Sequence, residues 1–114
     1  MVVLVHERKK RLGESSQDSL VTTINLDEES KQMIAFSVLQ LFEFEKNTYK
    51  IIMYDTAHGI VHVHQYFTHN KIVKNMPDFR ITTEDYELCK KDIKENWQEY
   101  KRLYLKNHLK QQGL

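Results

Sequence analysis

Four histidines fall within twelve residues, in the stretch Tyr54-Asp55-Thr56-Ala57-His58-Gly59-Ile60-Val61-His62-Val63-His64-Gln65-Tyr66-Phe67-Thr68-His69. Neutral imidazole binds metals and titrates near physiological pH, so such a run suits coordination or proton transfer. Side chains alternate along a strand, which puts His62 and His64 on one face about 7 Å apart, at a rise of about 3.4 Å per residue. His58 falls in the preceding turn beside Asp55, where a carboxylate can orient an imidazole. Three chemistries compete for this pattern. A His-x-His pair is a two-ligand metal donor set, which His58, His69, Asp55 or His6 would have to complete. Two imidazoles can instead share the proton transfers of metal-free phosphodiester chemistry, with a Lys or Arg holding the phosphate. The third reading is structural, with the histidine strand serving as an interface. The sequence supplies no complete ligand set, so no metal and no cofactor is assigned.

The elements that must position these residues follow from pattern. At 114 residues, 40% hydrophobic and 29% charged, the chain reads as one soluble globular domain over 1–114. A formal net charge of +1 gives no strong overall field, so nucleic-acid binding would need a local patch. The single cysteine, Cys89, excludes an internal disulfide and fits a reducing compartment. No apolar run approaches the roughly 18 residues of a membrane span, and the apolar-then-basic start is the reverse of a secretory signal. The expectation is a cytoplasmic domain with no membrane partner.

Residues 1–69 alternate strand-like runs and polar turns, 70–82 form a connector containing Pro77, and 83–111 read as one helix without Gly or Pro. Strands are predicted from Val2 to Arg8, through Leu20, Thr22, Ile24 and Leu26, and from Met33 to Phe44. Two more are predicted through Tyr49, Ile51 and Met53 and from Ile60 to Phe67. Met33 to Phe44 is apolar on both parities and is read as a central strand. Short connections favour an antiparallel meander of about five strands. Thr82 is the expected helix N-cap, with Glu84 and Asp85 in the first turn. Tyr86, Cys89, Ile93, Trp97, Tyr100 and Tyr104 recur at spacings of three and four and form the packing stripe. Lys101, Arg102, Lys106 and Lys110 at the far end suit the helix dipole and are also the candidate phosphate-facing patch.

The predicted fold class is therefore α+β, a mostly antiparallel sheet with one long C-terminal helix on one face. Val61, Val63 and Phe67 are expected to meet that helix. Ile60, His62, His64 and Tyr66 are expected on the opposite face, joined by Ile52 and Tyr54 if alternation runs unbroken from Lys50. That face would be too apolar for water, which predicts a homodimer or another covering partner.

Known patterns narrow the chemistry. A histidine-triad hydrolase needs a third alternating histidine, but His62-Val63-His64 is followed by Gln65-Tyr66. A cupin needs a glutamate soon after the pair, and residues 65–70 contain none. Rolling-circle nucleases of the HUH class pair His-hydrophobe-His with a tyrosine on a later helix, a role open to Tyr86, Tyr100 or Tyr104. The stretch Tyr54 to Gly59 followed by His62 and His64 resembles small prokaryotic proteins marked by Tyr-Asp-Thr-Ala-His-Gly and His-x-His. These are similar to the TumE-type proteins of toxin–antitoxin modules. The resemblance covers residues 48–68 and, more loosely, the closing helix. Thr56 stands where the TumE-type motif has asparagine, and its histidine-rich end is not reproduced. The resemblance implies a sheet-plus-helix domain, a role on RNA or translation, and an antitoxin protein as partner. Catalysis would then rest on His58, His62 and His64, with Asp55 orienting His58. The alternative is a non-enzymatic binding protein that uses the same strand as its interface.

Overall fold

The computed structural model describes residues 2–109. Six strands pair consecutively in one antiparallel sheet, β1 (Val3–Arg11), β2 (Asp18–Asp27), β3 (Met33–Phe44), β4 (Asn47–Asp55), β5 (His62–Gln65) and β6 (Ile72–Asn75). Helix α1 (Thr83–Tyr104) follows and ends in a π-helical turn, Leu105–Leu109. The fold is thus α+β as expected, with six strands instead of about five. The additional strand, β6, lies in the predicted connector. It is four exposed residues long and half polar, so it lacks the alternating apolar signal that marks a strand in sequence.

β3 is central and carries Phe36, Val38, Gln40 and Phe42 inward. Against this row and β4 lies α1, whose Tyr86, Cys89 and Ile93 are buried. Phe36 meets Tyr86 edge-to-face at 5.5 Å and Phe67 stacks on Tyr100 at 4.9 Å, geometries that add to simple burial. The helix begins where its cap predicts, with Thr82 Oγ1 accepting the Asp85 N–H at 3.2 Å. Asp85 reaches back to the Arg80 N–H at 2.7 Å, a variant of the capping box closed two residues earlier.

Polar bonds fix the helix in register. The Asp92 carboxylate accepts from the Tyr54 hydroxyl (2.5 Å) and the Tyr100 hydroxyl (2.8 Å), while the Asn96 amide donates to it at 2.9 Å. Gln40 Nε2 donates to the Trp97 carbonyl at 2.9 Å. Burial, then the Asp92 contact, raises the Tyr54 and Tyr100 hydroxyls far above the usual phenol range. Burial likewise pushes the Cys89 thiol up to about 12 from an ordinary 9.0. All three groups hold their protons in the folded chain at a pH where the unfolded chain has released them. The stability they contribute is complete below the unfolded values and is lost as pH rises through the folded ones. The guanidinium unfolding midpoint should therefore fall steadily from mildly to strongly alkaline pH. Cys89 should resist alkylation in the native protein and react on unfolding.

One irregularity decides which side chains share a face. Gln40 pairs with Ile52 but Leu41 pairs with Lys50, so Ile51 is an extra residue, a β-bulge in β4. Both Ile51 and Ile52 are buried. The bulge reverses parity, and Ile52 and Tyr54 turn toward the helix while Lys50 stays outside. The expectation that Ile52 and Tyr54 share the histidine face is corrected on this ground, because alternation does not run unbroken through β4.

Candidate functional site

β5 aligns with β4 so that Asp55 lies opposite His62 and Met53 opposite His64, while Tyr54 lies opposite Val63. Facing residues share a side of the sheet. Tyr54 and Val63 are thus on the helix side, and Asp55, His62 and His64 are on the side that α1 does not cover. Asp55, His62 and His64 come together as neighbours. His58 does not join them.

His64 Nε2 donates to Asp55 Oδ2 at 3.0 Å, with both side chains about three-quarters buried. The expectation that Asp55 orients His58 is therefore corrected. The carboxylate belongs to a sheet-end residue whose diagonal neighbour is His64, whereas His58 lies in a 3₁₀ turn, Ala57–Gly59, with a left-handed φ of 58° and an exposed side chain. Asp55 Oδ1 is buried and has no hydrogen-bond partner. Among the described residues His64 makes no hydrogen bond through Nδ1. Its ring stacks on Tyr66 at 5.8 Å and 13°, and Tyr66 holds its proton above the ordinary phenol range through burial and then the nearby Asp55 charge.

His62 is held from both sides. Its Nε2 donates to the Ala57 carbonyl at 3.0 Å, and its Nδ1 lies 2.8 Å from the Asn75 side-chain oxygen on β6. With both nitrogens engaged, His62 is a brace between the turn and the edge strand. Thr56 closes the same corner: its Oγ1 accepts the Phe36 N–H at 3.1 Å and bonds the Phe36 carbonyl at 3.4 Å. The stretch Tyr54 to Gly59 thus divides by chemistry. Tyr54 docks the helix, Asp55 fixes His64, Thr56 ties β4 to β3, and Gly59 takes the positive φ of 74° that the turn needs.

Two cations at the basic end of the helix are paired with acids. Lys101 Nζ pairs with the buried Asp18 at 3.1 Å and lies over the Phe42 ring at 4.4 Å. Arg102 grips Glu99 through two bonds, of 2.9 and 2.6 Å. Of the candidate phosphate-facing cations, Lys101 and Arg102 thus each have an intramolecular acid as partner. Lys106 is exposed, and Lys110 lies outside the described residues. A cation that sequence reasoning missed, Arg80, lines a cleft of about 450 Å³ beside the turn, together with Gly59, Ile60, Asn75 and Phe79. Nothing local in the sequence marks Arg80, because it reaches this corner only through β6.

The metal readings lack geometry. Among the described residues no group of three or more His, Cys, Asp or Glu is placed to hold a metal ion. The tyrosines that an HUH-type nuclease would use lie on α1, across the sheet from His62 and His64. Tyr86 and Tyr104 are buried, and the Tyr100 hydroxyl is bonded to Asp92.

Residues 7–110 match a family described as a domain of unknown function, DUF7718. The chain belongs to that family. Comparison with curated proteins and with solved structures gives no match. In this DUF7718 chain no described helix is long and apolar enough to cross a membrane.

Proposed function

We propose that this DUF7718 chain is a small effector of the toxin-module kind that acts on RNA without a metal, with His64 as its general base. The observation that carries this reading is the His64 Nε2–Asp55 Oδ2 bond at 3.0 Å on the uncovered sheet face. A carboxylate that fixes one imidazole nitrogen selects the tautomer and leaves the other nitrogen to take a proton. His64 Nδ1 would accept the proton of a ribose 2′-hydroxyl, whose oxygen attacks the adjacent phosphorus. The bond from phosphorus to the 5′-oxygen breaks, and Tyr66, still protonated, supplies the proton to that leaving oxygen. The products are a 2′,3′-cyclic phosphate and a 5′-hydroxyl. Arg80, which lines the cleft beside the Ala57–Gly59 turn, would hold the phosphate. The resemblance of Tyr54 to Gly59, His62 and His64 to TumE-type proteins supports the same reading, and an antitoxin would cover the open face.

Expression in a bacterial host tests this. The wild type should arrest growth, and His64→Ala should abolish the arrest while the chain still folds, as its circular-dichroism spectrum reports. A wild type without effect on growth, or arrest undiminished in His64→Ala, would contradict it.

A second reading has its own observation. The open face carries a cross-strand row of Val21, Leu39 and Met53 leading to His64, flanked by Leu41, all half-buried. Such a row suits a homodimer or partner interface without chemistry. Sedimentation supports it if Leu39→Asp dissociates a dimer and no RNA activity accompanies the wild type. A monomer at micromolar concentration removes the homodimer.

A further inference from the structure

The sheet is wider than its helix. Six strands at about 4.8 Å spacing span about 24 Å, whereas one helix covers about 10 Å. Because α1 lies over β3 and β4, the helix side of β1 and β2 is left as a groove of about 480 Å³ between these strands and the first half of α1. Its floor is aliphatic and includes Leu20, Ile24, Leu26 and Met33, with Tyr86 at the base of the helix wall. Its rim is cationic. Arg8 and Lys10 project from β1 on the side set by their partners Thr22 and Leu20, Lys31 stands at the β2–β3 turn, and Lys90 and Lys94 are one turn apart on α1. The lining holds one acid, Glu87, already 3.5 Å from Lys90.

We infer that this groove is the docking site for an acidic amphipathic helix of a partner protein, which would complete the helical layer over β1 and β2. An apolar stripe at i, i+3, i+4 and i+7 would meet the aliphatic floor, and flanking Asp or Glu would meet the two cationic rims. RNA fits less well. Bases stack on aromatic platforms, and of the two rings here Tyr86 is 5% exposed with Lys90 Nζ over it at 5.1 Å, which leaves the His6 imidazole alone. The groove lies at the β1 edge on the helix side, whereas His64 lies near the β6 edge on the open side. The inference is therefore independent of the RNA reading.

The test uses the full chain and a fluorescent helical peptide of about four turns, roughly 21 Å at 1.5 Å per residue, with a leucine stripe flanked by glutamates. An otherwise identical peptide carries lysines, and a single-stranded RNA oligonucleotide serves as a third probe. The glutamate peptide should bind saturably, shift amide resonances around Arg8, Lys10, Lys90 and Lys94, and lose about tenfold in affinity with Lys10→Glu or Lys94→Glu. Both positions are exposed, and Leu26→Asp, at the groove floor, provides a second variant if either charge reversal unfolds the chain. Equal binding of the two peptides, shifts elsewhere on the protein, or RNA displacing the glutamate peptide from these residues would overturn the inference.

Discussion

Asp92→Ala should destabilise the fold by about 2–4 kcal/mol, more than any exposed polar substitution on α1. The carboxylate accepts from Tyr54 and Tyr100 at 2.5 and 2.8 Å, and from Asn96 at 2.9 Å. Removing it strands two hydroxyls that burial has largely cut off from water, and an unmet buried donor costs about 1–3 kcal/mol. The melting temperature should drop by about 10 °C or more for a chain of this size. Tyr54→Phe and Tyr100→Phe each remove one donor without stranding an acceptor-free cavity, so each should cost less. Combining Tyr54→Phe with Asp92→Ala should cost less than the sum, since the stranded hydroxyl is then absent. Strict additivity would show that Asp92 does not hold these hydroxyls.

That network also shows where sequence reading reaches its limit. The stripe from Tyr86 to Tyr104 places Tyr100 on the inner face correctly, and Thr82 marks the start of the helix. Nothing in the local pattern pairs Asp92 with Tyr54, 38 positions earlier, because only the docking of α1 on β4 brings them together. The bulge at Ile51 is equally silent. Two adjacent isoleucines are consistent with plain alternation, yet the extra residue reverses the faces of Ile52 and Tyr54 and takes these two out of the apolar patch that motivated a dimer there. A different apolar row, Val21, Leu39 and Met53, occupies the open face.

The histidine pair was legible because His62-Val63-His64 alternates on a short, regular strand. Its partners were less so. Asp55 is adjacent in sequence to the turn of His58 but, in the sheet, diagonal to His64. Asn75, which braces His62, sits in a strand too short and polar to detect. Arg8 and Lys10 follow His6 at period two, and Lys90 and Lys94 sit at helical spacing, so the cationic rims were readable singly. Their convergence over an apolar floor depends on the tertiary fold.

The four-histidine cluster resolves into unlike members. His62 is a brace with both nitrogens engaged, His58 and His69 are exposed turn residues, and His64 alone pairs a largely buried carboxylate with an uncommitted nitrogen. If His64 is the general base of the proposed RNA cleavage, its removal should abolish that cleavage, a loss of about 100-fold or more. His58→Ala should leave the rate within a few-fold. His62→Ala should act through stability, lowering the melting temperature and the folded fraction while retaining activity per folded molecule. The most direct measurement is the rate of 2′,3′-cyclic phosphate formation on an RNA oligonucleotide in EDTA, compared for the wild type and these three variants at equal folded concentration. The account predicts that His64→Ala alone loses the rate. A rate that survives His64→Ala, or that falls instead with His58→Ala, would contradict it.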